Sequence, residues 1–230
     1  MGKRAGLTTQ DYIIDAELPE QTDSYTVISH EAVIKKTKEV LAAHGLEIER
    51  ELYRCNQGAK IAQGIYHLKY KTTDPDIGLM FCWNNSYDKS MRFRCSIGGY
   101  VHKSLASIIG GNMGSWGRKH TGSAYSESLT IIEEQITGAD TFFKELIEDK
   151  DKMKLMVVDK SDRASFIGRL YLKYDLLTTE QISQIKYELK NSTTDMGSIW
   201  EMYNAIIVSL QKAHPRTWMD QQRMAHYLIN

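Results

Sequence analysis

The 230-residue chain is poor in cysteine and proline, and it has no apolar run of the ~18 residues that a membrane-spanning helix needs. Its three cysteines, Cys55, Cys82 and Cys95, are odd in number and far apart, which is not the pattern of a disulfide-stapled secreted domain. No apolar segment follows Lys3 and Arg4, so the first residues do not resemble a secretory signal. From these absences we expect a cytoplasmic protein with no membrane partner.

The chain also lacks net charge, since 29 Lys and Arg residues balance 29 Asp and Glu residues. A charged partner would therefore have to be held by a local patch, because the molecule as a whole exerts no attraction. Recognisable catalytic patterns are missing as well: the chain has no Gly-x-Ser-x-Gly elbow, no Walker sequence and no His-Glu-x-x-His helix. These absences favour a protein that is not an enzyme and that needs no cofactor.

What the chain does contain is the material of an α+β fold. Apolar residues make up 42% of it, enough for a substantial core. Ser29 is a suitable N-cap for a helix over residues 29–44, and four strand-like segments follow within residues 46–102. From residue 126 onward the apolar spacing becomes helical. This order predicts an antiparallel β-meander packed on an N-terminal helix and followed by a C-terminal helical layer.

The same patterns predict three regions along the chain. They are an N-terminal arm over residues 1–25, a sheet with its packed helix over 26–125 and a helical part over 126–230. We expect no strand beyond residue 165, because the later segments have helical spacing and helix-capping residues.

A basic segment over residues 86–123 is the strongest functional signal, with six positive residues and one acid. Aromatic residues are interleaved with the charges, which suits a nucleic-acid single strand, because cations track the phosphates and rings stack on the bases. The candidate binding residues are Lys89, Arg92, Arg94, Lys103, Trp116, Arg118, Lys119 and His120. The plain alternative is that Arg92 and Arg94, with Ser96, form the solvated face of an alternating strand whose other face is core.

A glycine-rich stretch lies within this segment. Five of the thirteen residues from Gly110 to Gly122 are glycine, and Arg118, Lys119 and His120 occur near its end. Glycine lets backbone N–H groups approach a ligand closely, so the stretch suits either a phosphate-binding loop or a flexible connector.

Two weaker patterns concern metal ions. The side chains of Cys82, Cys95, His102 and His120 would have to converge without any recognised zinc-ligand spacing. Three aspartates near predicted turns, Asp74, Asp76 and Asp88, would form a divalent-cation site if the turns approached one another. Cysteines on strands usually belong to the core and aspartates in turns usually serve the turn, so the sequence predicts no metal site.

Several short motifs resemble a known family. Asn85-Ser86-Tyr87-Asp88-Lys89-Ser90 is similar to the Asn-Ser-His-Asp-Gly-Ser hairpin of the phage/plasmid-like family of unknown function, the domain-of-unknown-function-932 type. Gly111-Asn112-Met113, and the stretch from Trp200 through Asn204-Ala205 to His214, resemble two later elements of that family. Tyr87 replaces the family's His and Lys89 its Gly, so an activity that needed the His would be absent. The resemblance implies a bacteriophage or mobile-element protein that resides in the host cytoplasm, and it implies no particular reaction.

In architecture alone the predicted helix and meander are similar to Rad52-like single-strand annealing proteins, an analogy of fold and not of function. Our leading hypothesis is a phage or mobile-element protein that binds single-stranded DNA or RNA without catalysis, in replication or recombination, as a homo-oligomer. A structural or host-interaction protein that binds other proteins is the alternative, and a metal-dependent nuclease is the third.

Overall fold

The computed structural model describes residues 5–71, 73–110, 116–190 and 196–230, and these form eight α-helices and nine strands. The strands are β1 (Gly6–Thr8), β2 (Glu47–Cys55), β3 (Ile61–Lys69), β4 (Ile77–Ser86), β5 (Phe93–Val101), β6 (Ser107–Ile108), β7 (Trp116–Arg118), β8 (Val157–Asp159) and β9 (Met196–Ser198). The helices are α1 (Gln10–Ile14), α2 (His30–Ala43), α3 (Ala124–Thr137), α4 (Ala139–Leu155), α5 (Lys160–Leu172), α6 (Thr179–Lys190), α7 (Ile199–Leu210) and α8 (Pro215–Ile229).

The main sheet is an antiparallel meander. Strands β1 to β6 lie side by side in sequence order, and β7 pairs with the first residues of β5. The four long strands, β2 to β5, fall within the predicted range 46–102, and α2 coincides with the helix predicted over 29–44. Ser29 caps α2 as expected, because its hydroxyl accepts a hydrogen bond from Ala32 N–H at 3.1 Å. The α+β prediction is therefore confirmed.

The sheet is strongly curled. Tyr100 on β5 lies over Gly78 on β4, and a Cβ atom on that glycine would be 2.5 Å from the tyrosine ring. The same ring stacks on His67 of β3 at 3.9 Å, and its hydroxyl donates a hydrogen bond to Glu49 of β2 at 3.1 Å. Strands β5 and β2 would be about 14 Å apart in a flat sheet, so one side chain can bridge them only because the sheet curls.

Both faces of the sheet are covered. Helices α2, α3 and α4 pack on one face, over a core that includes Phe81, Phe93 and Ile97. Helix α8 covers the other face, where Trp218 and Met219 pack on side chains of β3, β4 and β5.

The packing of α8 corrects the alternative interpretation, in which the polar face of β5 is exposed to solvent. Ser96 is fully buried, and Arg94 is half-buried against α8. The alternation of β5 separates the two faces correctly, but it cannot show that a helix more than a hundred residues later covers the polar one.

The region after residue 126 is less purely helical than predicted. The region begins with two helices, α3 and α4, which meet at Gly138. The strands β8 and β9 form a separate two-stranded antiparallel ribbon, so the expectation of no strand beyond residue 165 is wrong. Three-residue strands are too short for their alternation to be visible in a sequence.

The first described residues are anchored on the sheet. Strand β1 pairs with the end of β2, and α1 places Ile13 in the core with no exposed surface. Among the described residues no helix is both long enough and apolar enough to cross a bilayer.

Candidate nucleic-acid interface

Three of the predicted cationic residues meet at one end of the sheet, which we call the hairpin end because β4 turns into β5 there. Lys89 lies in that turn, Arg92 precedes β5 and Lys119 follows β7. The β5–β7 register pairs Phe93 with Arg118, and its continuation places Arg92 beside Lys119. All three cations are exposed, and no ion pair joins them to a carboxylate within the described ranges.

Lys103 does not belong to this group. It follows the far end of β5, and the nine residues of that strand span about 27 Å. Its side chain is exposed at the end of the sheet opposite to the hairpin. The sequence could not separate Lys103 from the others, because their distance depends on the direction of β5.

Two further predicted residues are engaged in internal ion pairs. Arg94 Nη1 lies 2.5 Å from Asp220 of α8, and Arg118 Nε lies 2.8 Å from Glu127 of α3. Each pair ties the edge of the sheet to a helix. The charge of both arginines is therefore already balanced by a carboxylate.

His120 lies underneath the hairpin end, with its ring stacked on that of Tyr25 at 5.3 Å and 5°. Lys89 Nζ lies over the same tyrosine ring, 4.6 Å from its centre. His120 is only 6% exposed, and this burial lowers the pKa of its imidazole. The histidine therefore supports Tyr25, which in turn positions Lys89. Sequence reasoning missed Tyr25, because it lies within the segment assigned to the arm.

Two other parts of the prediction are only partly described. The backbone of Trp116 pairs with Cys95 in the sheet, while its side chain lies outside the described part of the chain. Residues 111–115 of the glycine-rich stretch, including Asn112 and Met113 of the family resemblance, also lie outside the described residues.

A buried histidine fixes the shape of the hairpin end. His30 Nε2 is 2.9 Å from Ala59 O, and its Nδ1 is 3.0 Å from Asn85 Nδ2. Because a carbonyl oxygen only accepts and an amide nitrogen only donates, Nε2 carries the proton and Nδ1 accepts. The ring also stacks on Tyr87 at 3.8 Å, and the Tyr87 hydroxyl accepts from His30 N–H at 2.7 Å. Burial lowers the pKa of His30 to about 4, so the imidazole is neutral.

The motif Asn85-Ser86-Tyr87 is thus a structural element of this chain. Asn85 Nδ2 also donates to Ile28 O at 2.7 Å, and the Tyr25 hydroxyl donates to Ser86 O at 3.3 Å. These contacts attach the start of α2 to the turn that carries Lys89.

A second row of polar side chains crosses the opposite face of the sheet. Arg54, Gln63 and Asn84 are cross-strand neighbours on β2, β3 and β4, and hydrogen bonds of 3.1 and 2.9 Å join them in that order. Arg54 donates to Ala213 O at 2.7 Å, and Asn84 Nδ2 donates to Pro215 O at 2.7 Å. This row holds the backbone that leads into α8.

The aspartates considered as a cation site do not converge. Asp74 and Asp76 precede β4, whereas Asp88 follows it at the hairpin end. Lys150, which is 3% exposed, contacts the Asp74 carboxylate, and Lys154 contacts that of Asp76. Desolvation alone would raise the pKa of Asp74, but the lysine and two backbone N–H groups lower it. These carboxylates are structural partners of lysines.

The cysteine and histidine cluster does not form either. Cys82 pairs with Ser96, and Cys95 pairs with Trp83, so the two thiols point to opposite faces of the sheet. Within the described ranges, no three Asp, Glu, His or Cys side chains are grouped closely enough to hold a metal ion.

One exposed ring shortly after Lys119 in the chain was not predicted. Tyr125 is in the first turn of α3, six residues after Lys119, and it is 43% exposed. Its position just beyond the basic segment kept it out of the candidate set. Compared with protein-family models, curated proteins and solved structures, the chain matches none of them.

Proposed function

We propose that the chain binds single-stranded nucleic acid at the hairpin end without cleaving it, as a phage or mobile-element protein of replication or recombination. The observation that carries the proposal is the grouping of Lys89, Arg92 and Lys119 as exposed cations without carboxylate partners among the described residues. The family resemblance supplies the biological setting. Its motif Asn85 to Ser90 forms the turn that presents Lys89.

Aromatic residues are close to the cations along the chain. Phosphates contact cations, while bases stack on aromatic side chains with little sequence preference. Tyr125 is the exposed ring nearest to Lys119 along the described chain, and Trp116 is the ring of the basic segment itself. A single strand suits this arrangement better than a duplex, because its bases are free to stack.

A titration with a short fluorescent oligonucleotide at several salt concentrations tests the proposal. Three phosphate contacts predict that log K falls with log salt at a slope of about −2, since each contact to a single strand contributes about −0.7. Changing Lys89, Arg92 or Lys119 to Ala should weaken binding to all sequences alike and reduce the slope by one contact.

Lys103→Ala is the matched control, because this lysine is equally exposed but lies at the opposite end of the sheet. It should leave both affinity and slope unchanged. No binding at low salt, or an equal loss from Lys103→Ala, would refute the hairpin end as the site.

Ring removal separates stacking from charge. Tyr125→Ala and Trp116→Ala should each cost about 1–3 kcal/mol of binding if a base stacks on that ring, with little change in the salt slope. Loss of slope in these variants would mean that the rings only support the cations.

We also expect no cleavage of DNA or RNA with magnesium or manganese, because Asp88 is separated from Asp74 and Asp76, which are paired with lysines. Labelled strands incubated with the purified protein and each metal test this. Cleavage that disappears in Asp88→Asn would instead support the nuclease alternative.

A further inference from the structure

Exposed apolar side chains concentrate in one part of the molecule. Fourteen large apolar side chains are exposed among the described residues, and seven of them lie between residues 155 and 196. They are Leu155, Met156, Val157, Leu172, Tyr174, Tyr187 and Met196. This stretch is less than a fifth of the 230-residue chain, so scattered surface exposure does not account for it.

Three of these residues are consecutive. Leu155, Met156 and Val157 are 83%, 52% and 65% exposed, and they run from the end of α4 into β8. Consecutive exposed apolar residues of this kind are avoided in folded proteins unless a partner covers them.

The strand β8 presents an open backbone edge at this place. Ile199 N–H donates to Met156 O at 2.8 Å, and alternate pairs of an antiparallel ladder exchange hydrogen bonds. The bonds to β9 therefore run through Met156 and Val158, and the N–H and C=O of Val157 point away from β9. In the described part of the chain β8 pairs with β9 alone, so no described strand pairs with this side of the ribbon.

The edge lacks the protection that edge strands usually have. Natural sheets guard such edges with lysine, proline, a bulge or an overlying element. Here Leu155 to Val158 contain no charge and no proline, and the one charged residue of β8 is Asp159 at its end. The ribbon has only two strands, which are marginal by themselves.

The charges of this region fit a second copy of the same chain. Residues 155–198 carry six Lys and Arg residues and six Asp and Glu residues, so two copies meet here without net repulsion. The hairpin end is different, because the cations Lys89, Arg92 and Lys119 would face each other in a twofold contact.

We propose that two copies of the chain associate through antiparallel pairing of β8 with β8 of the partner, about a twofold axis at Val157. The pairing converts two ribbons into one four-stranded sheet in the order β9-β8-β8-β9. It satisfies the free N–H and C=O of both Val157 residues and covers Leu155 and Met156. The inference goes beyond nucleic-acid binding and does not depend on it.

Val157→Pro is the sharpest variant, because it removes the N–H that points to the open edge and none that bonds to β9. Met156 already has φ −85° and ψ 115°, a conformation that suits the residue before proline. Light scattering on the full chain should give a dimer for the wild type and a monomer for Val157→Pro and Val157→Lys.

Leu18→Lys is the control for removing an exposed apolar side chain elsewhere, since Leu18 is 58% exposed in the N-terminal segment. It should remain a dimer. A monomeric wild type, or a dimer that persists in both Val157 variants, would overturn the proposal.

Disulfide trapping gives an independent readout. Paired residues of this type have Cα atoms ~5.5 Å apart, within the ~4.4–6.8 Å that a disulfide accepts. The three native cysteines are buried, so Val157→Cys should form a covalent dimer at least tenfold faster than the wild type under mild oxidation. Leu7→Cys, on the exposed edge strand β1, is the comparison, and faster trapping at Leu7 would place the contact on β1 instead.

Discussion

His30 has no exposed surface, and both of its ring nitrogens form hydrogen bonds. Its pKa is lowered to about 4 from 6.5 mainly by burial. Between pH 4 and pH 6.5 the His30 imidazole is protonated in the unfolded chain but stays neutral in the folded chain. The free energy of unfolding should therefore fall as the pH drops from 6.5 towards 4. His67 has its pKa lowered to about 4 as well, also by burial, and should add to the same loss.

The contribution of His30 is on the order of 3 kcal/mol. Urea unfolding at pH 7 and pH 4.5 should show it, with His30→Gln losing part of the pH dependence. His44→Gln is the control, because that ring is exposed at the end of α2. An unchanged pH dependence in His30→Gln would mean that other groups dominate acid unfolding.

Residue-level expectations succeeded where a side chain's environment depends on its neighbours along the chain. Ser29 caps α2 as its position in the sequence predicts. They failed where the partner is distant: Arg94 and Arg118 look free in sequence but pair with Asp220 and Glu127. A long-range ion pair leaves no periodic trace, so composition overestimates the cations available to a ligand.

Among the elements, the attachment of α8 depends on Arg54. Its guanidinium donates to Gln211 O at 3.1 Å and to Ala213 O at 2.7 Å, and the residue is 9% exposed. Arg54→Met should leave these carbonyl groups and Gln63 with unpaired acceptors in a buried place. We expect a loss of about 2–4 kcal/mol in the free energy of unfolding by urea denaturation.

Arg50→Met provides the matched comparison on the same strand, because Arg50 is exposed. It should change stability by less than about 0.5 kcal/mol. Equal effects of the two variants would show that the polar row does not hold α8.

At the same scale, the sequence located the long strands and helices but not how they stack. Met91 to Ile97 alternates, which identifies a strand with two unlike faces. Nothing in that pattern distinguishes a face covered by water from one covered by α8 through hydrogen bonds to polar side chains. The short strands β7, β8 and β9 have too few residues for their side chains to show an alternating pattern in the sequence.

Across the whole molecule, stability should be unevenly distributed. Strands β3, β4 and β5 are buried along almost their full length, whereas α5 has only Arg163 and Leu170 buried. Amide hydrogen exchange should therefore be slowest in the central strands and faster by orders of magnitude in α5, which has few buried contacts. Equal protection of α5 and β4 would contradict this picture.

The dimer proposed above modifies that expectation in one place. Exchange of the Val157 amide should slow as the protein concentration rises, because association gives the open edge of β8 a strand partner. Val157→Lys, which keeps the amide at this position, should abolish the concentration dependence and leave the protection of β4 unchanged.

The hydrogen bonds from Arg54 to the backbone near residue 213 affect the order in which the chain can fold during its synthesis. The two partners are separated by 159 residues, so a nascent chain presents the finished strands β2 to β5 long before it contains the segment that seals them. Until then the side chains of Arg54, Gln63 and Asn84 would be exposed to solvent. The apolar side chains of Ile65 and Met80 on the same face would be exposed with them. The growing chain would therefore be most prone to aggregation in the interval before α8 has been synthesised.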